Sequence, residues 1–158
     1  MTKECEKNEL KLRKSPLYYV CFRKSDRWWG MFLKKDFGHC FVLINDGINW
    51  IEVCPRLKKA FISIIPVAAN EDILKMYHKE IPEFVAIEME FSEKFQPKVL
   101  FYAPTCVGFV KYVLGIRMWA CTPYRLFRKL LKLNAPVVSG SPMQLKDIKK
   151  IKNIRRAI

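Results

Sequence analysis

The sequence predicts an α+β fold, with an antiparallel sheet packed against a helix that carries a candidate nucleophile. Three observations lead there. Runs rich in apolar, β-branched and aromatic residues at 17–23, 39–45, 48–54, 60–65 and 84–91 read as strands. Between two of them stands Asp46-Gly47, a residue pair suited to a two-residue type I′ hairpin turn. Beyond Cys106, apolar residues at Phe109, Val110, Val113 and Leu114 switch to helical spacing. With 158 residues, 51% of them hydrophobic, the chain is long and apolar enough for one domain with a real core. That domain is placed at residues 15–139, between a flexible charged N-terminus at 1–14 and a basic tail at 140–158.

Taken in order, residues 17–23 are rich in Tyr, Val and Phe and form the first expected strand. Trp28-Trp29-Gly30-Met31-Phe32 follows, an aromatic segment suited to packing on the sheet. The Asp46-Gly47 hairpin comes next. Residues 60–65 form a further strand, which Pro66 is expected to stop. Residues 71–79 read as a short helix with Asn70 as N-cap, carrying His78 on an exposed surface. Residues 84–91 alternate apolar positions with Glu88 and Glu90. A loop at 92–97 and residues 99–102 lead to Pro104 and the Cys106 helix, which Gly115 suits as a terminator. Thr122-Pro123 opens another helix through residue 133, with Thr122 as cap and Pro123 at the first helical position. Residues 134–145 read as loop.

Two of these features carry chemistry. A thiol in the first turn of a helix meets the positive end of the macrodipole and open backbone N–H groups, and both favour the nucleophilic thiolate. His39 starts an apolar strand in Phe37-Gly38-His39-Cys40-Phe41, and only two histidines occur, so His39 and Cys106 pair as base and nucleophile. If Asn45 pairs with Ile48 across a two-residue turn, Leu43 faces Trp50, Phe41 faces Glu52 and His39 faces Cys54. His39, Phe41, Leu43, Trp50, Glu52 and Cys54 then share one face of the hairpin, and Cys40, Val42, Ile44, Ile51 and Val53 the other. Glu52 becomes the diagonal neighbour of His39, about 7 Å away between backbone positions, and can orient the imidazole as the third member of a triad.

Cys106-Val107-Gly108-Phe109-Val110 resembles the nucleophile helix of NlpC-type cysteine peptidases, whose usual pattern is Asp-Cys-Ser-Gly-Phe-Val. Cys106, Gly108, Phe109 and Val110 match it, and Thr105 and Val107 depart. In those enzymes Cys precedes His. The reverse order here resembles the circularly permuted branch of the papain-like superfamily, which includes YiiX-like proteins and lecithin retinol acyltransferases. The resemblance covers about residues 37–131. It implies a permuted papain-like fold, a thiol-dependent hydrolase or acyltransferase acting on an amide or ester bond, and an acidic group on the second strand, which suits Glu52. NlpC-type relatives imply a cell-wall peptide as substrate; the permuted branch equally implies a lipid ester or N-acyl group.

Composition bounds the alternatives. Six cysteines show no Cys-x-x-Cys pair and no zinc-type spacing, so free thiols are expected, with no metal or cofactor. No apolar run approaches the ~20 residues of a transmembrane helix. Met1-Thr2-Lys3-Glu4-Cys5 lacks the apolar core of a signal peptide, which predicts a cytoplasmic or virion-associated chain of the phage-encoded kind, exported by another route such as lysis. The formal charge of +14 predicts a polyanionic partner: cell wall, anionic lipid or nucleic acid. Leu145, Ile148, Ile151 and Ile154 recur every three residues in the tail, among six basic residues and one acid at 146–156, as on an amphipathic helix. Two rivals to the hydrolase stand: a non-enzymatic basic nucleic-acid-binding or virion structural protein, and a lipid acyltransferase or lipase at an anionic membrane surface.

Overall fold

The computed structural model describes residues 16–25, 33–56, 59–81, 84–90, 105–133 and 135–140. The N-terminus at 1–14, the Trp28–Phe32 aromatics, residues 92–102 and the basic tail lie outside the described residues. Within them the chain is α+β, with a six-stranded antiparallel sheet and three helices. The strands are β1 (Leu17–Arg23), β2 (His39–Asn45), β3 (Asn49–Arg56), β4 (Lys59–Ala68), β5 (Val85–Glu90) and β6 (Val137–Ser139). The helices are α1 (Ile73–Glu80), α2 (Cys106–Val113) and α3 (Pro123–Lys132). The sheet order is β4-β3-β2-β1-β5-β6, so α1 crosses from one edge strand to the far side of β1.

Both faces of the sheet are covered. Side chains alternate along each strand, and the alternation sorts the core into two layers. Val20, Phe22, Cys40, Val42, Val53, Val85 and Ile87 pack with Val107 and Val110 of α2 and Leu126, Phe127 and Leu130 of α3. Cys21, Phe41, Leu43, Trp50, Cys54 and Ala86 pack on the other side with Ile73, Leu74 and Tyr77 of α1. The faces assigned to the hairpin from sequence are the faces observed.

The hairpin register differs from the expected one. Asn45 pairs with Trp50, Ile44 with Ile51, Leu43 with Glu52 and Val42 with Val53. Four residues, 46–49, therefore separate the last paired residues of β2 and β3, where a two-residue turn was expected, and Asn49 already belongs to β3 through Ala68 of β4. The loop's own polar groups hold it. The Asp46 carboxylate accepts from Ile48 N–H at 2.8 Å and from Asn49 N–H at 2.7 Å. Asn45 Oδ1 accepts from Gly47 N–H at 2.9 Å, and Gly47 takes the positive φ (95°) that the loop needs. Those bonds also hold the Asp46 carboxyl below its usual range. A shift of two residues preserves the faces while moving every cross-strand neighbour by one pair.

Other boundaries moved for identifiable reasons. β4 runs through Pro66. Asn49 faces Ala68 while Trp50 faces Ile65, so Pro66 sits in a bulge of an edge strand, where no ladder hydrogen bond is lost. Asp72, and not Asn70, caps α1: its carboxylate accepts from Leu74 N–H and Lys75 N–H. β6 lies in the stretch expected to be loop. Three residues are too few to show a two-residue period, and their pairing with Ala86 and Ile87 of β5 defines the strand. Thr105 and Thr122 cap α2 and α3, accepting from Gly108 N–H and Arg125 N–H. Gly115, at φ 62°, ends α2 in a Schellman pattern, with Ile116 N–H on Lys111 O and Gly115 N–H on Tyr112 O.

Candidate active site

The site is where β2 starts and α2 starts. Four features position the first residues of β2. Phe37 is buried, with its ring 4.7 Å from that of Phe127 and 5.9 Å from that of Phe22. Gly38 N–H donates to Arg23 O at 3.0 Å, and a Cβ at residue 38 would collide with the Ser25 backbone, so only glycine permits this approach. Arg23, the last residue of β1, pairs with His39. The β2–β3 ladder runs from Asn45/Trp50 to Val42/Val53 and stops short of Cys40.

α2 brings Cys106 to this point as its first helical residue. Val107 and Val110 are buried on the sheet and fix the roll of the helix. Thr105 Oγ1 takes Gly108 N–H at 3.0 Å and Thr105 O takes Phe109 N–H at 3.0 Å. Neither bond uses the N–H of Cys106.

Strand parity places His39 with Phe41, on which its ring stacks at 6.4 Å between centroids, on the α1 side of the sheet. Cys106 packs beside Cys40 and the α2-side core. The two residues meet because each begins its element at the end of the sheet. Both are half-buried, and they are coupled by a hydrogen bond. Hydrogen bonds from the Cys40 thiol and backbone, then the hydrogen bond and positive charge of His39, outweigh burial and bring the Cys106 thiol down to about 4. Burial acts against a charged His39 ring, but hydrogen bonds to Cys106 and Cys54 and the neighbouring negative charge raise it to about 9. The resting pair is a thiolate and an imidazolium, the charge state of an activated cysteine nucleophile.

Glu52 is not beside His39. Facing Leu43, it lies four residues along the hairpin from His39, about 13 Å at strand spacing. Its carboxylate accepts from Tyr77 Oη–H of α1 at 3.0 Å. Burial and that carboxylate both raise the Tyr77 phenol, keeping it a donor. The diagonal position belongs to Cys54, whose Sγ is 3.4 Å from His39 Nε2. The two-residue lengthening of the loop made this exchange, because it carried Cys54 to where a two-residue turn would have carried Glu52. His39-Cys40 and Cys54 were visible in the sequence as alternating strand positions; the loop length was the missing signal. His78 takes no part: it hydrogen-bonds Ser139, tying α1 to β6.

Among the described residues no group of three or more His, Cys, Asp or Glu side chains is arranged to hold a metal ion. No helix among them is long and apolar enough to cross a membrane. No protein-family model, curated protein or solved structure matches the chain.

Proposed function

We propose that the protein is a thiol-dependent hydrolase or acyltransferase of the permuted papain-like kind, acting on an amide or ester bond. The observation that carries this reading is the coupled Cys106–His39 pair, with a thiolate held at a helix N-terminus against a charged imidazole. The Cys106 sulfur attacks the carbonyl carbon. Developing oxyanion charge falls on the N-terminus of α2, where Cys106 N–H is a donor. His39 protonates the leaving nitrogen or oxygen as the C–N or C–O bond breaks, leaving a thioester. Neutral His39 then takes a proton from water or an acceptor alcohol or amine, which attacks the thioester and frees Cys106. Cys54 holds Nε2 of the ring. Peptides of the cell wall and acyl groups of anionic lipids are the substrates that suit the chain's charge.

The test is acyl-enzyme trapping. The full chain is mixed with cell-wall peptide fragments, short thioesters and phospholipids, quenched in acid, and weighed intact. An adduct that maps to Cys106 and disappears in Cys106→Ala supports the reading. An adduct that survives in Cys106→Ala refutes it. Polyanion binding unchanged in Cys106→Ala, with no adduct on any substrate, selects the basic binding protein instead.

A further inference from the structure

Three of the five cysteines in the described residues converge on the site, and the mechanism uses only two of them. Cys40 is the unused one. It is completely buried, directly follows the candidate base in β2, and packs in the same core layer as Cys106. Cys106 packs against the buried cluster that contains Cys40, and Cys40 is the largest influence holding the Cys106 thiol down. Cys54 is engaged on the other side of the strand, at His39 Nε2. We propose that Cys106 and Cys40 form a peroxide-driven disulfide that reversibly masks the nucleophile.

The inference rests on Cys106 being the reactive thiolate of the proposed function. Cys106, half-buried at the helix start, is the sulfur that a hydroperoxide can reach; Cys40 is shielded. In the first step the Cys106 thiolate attacks one peroxide oxygen. An S–O bond forms, the O–O bond breaks, and the departing oxygen takes the His39 proton and leaves as water (or an alcohol from an alkyl hydroperoxide). Cys106 is now a sulfenic acid, oxidised by two electrons, and both peroxide oxygens are reduced. In the second step the Cys40 sulfur attacks the Cys106 sulfur. The S–S bond forms, the S–O bond breaks, and the Cys40 proton passes through neutral His39 to the departing hydroxide, which leaves as a second water. Burial and the neighbouring Cys106 charge raise the Cys40 thiol well above its usual range, so Cys40 stays protonated and inert until that charge is consumed. A resolving thiol already in contact intercepts the sulfenic acid before a second peroxide can carry it to the irreversible sulfinic acid.

The experiment treats the full chain with a few equivalents of hydrogen peroxide at pH 7, alkylates remaining thiols in denaturant, and maps disulfides by mass spectrometry. Cys40 and Cys54 share one tryptic peptide, residues 36–56, so an aspartate-specific protease is added to cut before Asp46; Cys106 lies alone on residues 99–111. The expected result is a Cys40–Cys106 link, at least a tenfold loss of Cys106 alkylation at pH 5, and full recovery with dithiothreitol. In Cys40→Ser, which also loses a support of the Cys106 thiolate, alkylation is compared with the same variant before oxidant, and peroxide drives Cys106 to sulfinic acid that dithiothreitol does not reverse. A link from Cys106 to Cys54, or sulfinic acid on Cys106 in the unaltered chain, overturns the proposal. If Cys40→Ser does not fold, the disulfide map of the unaltered chain decides alone. Failure of the underlying reading is separate: Cys106 would then show no enhanced alkylation at pH 5 even before oxidant is added.

Discussion

A thiol at about 4 beside an imidazole at about 9 titrates as a pair, and each limb has a definite sign. Lowering of the Cys106 value keeps the thiolate down to about pH 4; raising of the His39 value keeps the imidazolium up to about pH 9. Alkylation of Cys106 should therefore rise through about pH 4 and hold above pH 9, because it needs only the thiolate. Acyl transfer needs the His39 proton as well, and should be bell-shaped between the same two limits. The magnitude decides where to look. At pH 5 an ordinary thiol is ~0.03% thiolate, so Cys106 has an advantage of about 3,000-fold in the reactive form. A thiolate of so strong an acid is intrinsically slower by about 100-fold, which leaves about 30-fold net. At neutrality the two effects nearly cancel, so iodoacetamide rates for Cys106 and exposed Cys121 are compared at pH 5; equal rates there would remove the activated thiolate. A second residue-scale prediction separates Cys54 from Glu52. Cys54→Ala should pull the alkaline limb of turnover below pH 9 by removing the partner of His39 Nε2. Glu52→Gln should leave both limbs in place and lower stability to denaturant by about 1 kcal/mol through the Tyr77 bond. The reverse pattern would restore Glu52 as the orienting group.

Among the elements, α2 has two tasks that can be told apart by comparison with α3. Both helices start with a threonine whose hydroxyl accepts from the third backbone N–H of the helix. Removing either cap should cost about 1 kcal/mol of stability. Only Thr105→Ala, however, loosens the turn that carries Cys106, so only it should raise the acid limb of Cys106 alkylation. Thr122→Ala serves as the equally destabilised control. Equal pH profiles in the two variants would mean that the helix start contributes nothing to the thiolate, leaving Cys40 and His39 as its support. β2 is held at the same place from the other side, since Gly38 lets the chain pass against Ser25 and Phe37 anchors the segment in the core.

For the whole molecule, the formal charge of +14 sets long-range behaviour more than fold. The segment from 144 to 158 holds six basic residues against one acid, a net +5 of that total. Deleting it should weaken binding to a polyanionic surface, more at low salt than at high salt, while Cys106 alkylation at pH 5 stays unchanged. Co-sedimentation with anionic vesicles or cell-wall sacculi across a salt series reads the first effect. Unchanged binding would assign the tail a solubilising role; unfolding would place its isoleucine stripe in the core.

Apolar, β-branched and aromatic runs made the strands legible because both faces of the sheet are buried, and period-3.6 spacing made the Cys106 helix legible because one face of it is buried. The cap at Thr122 and the terminator Gly115 were local chemistry and readable as such; the cap at Thr105 is added by the structure. His39 and Cys106 could be singled out by residue type and position. What the chain alone left open depended on contacts between distant segments. Loop 46–49 is two residues longer than Asp46-Gly47 suggests because Asp46 and Asn45 satisfy its N–H groups, and this small difference exchanged Glu52 for Cys54 beside His39. β6 exists only through its pairing with β5, and β4 passes Pro66 only because it is an edge. The convergence of Cys54 and Cys106 on the His39 imidazole, with Cys40 packed in the layer behind Cys106, is likewise tertiary. Those residues are far apart in sequence, and only the packing of α2 against the open end of β2 brings Cys106 to them.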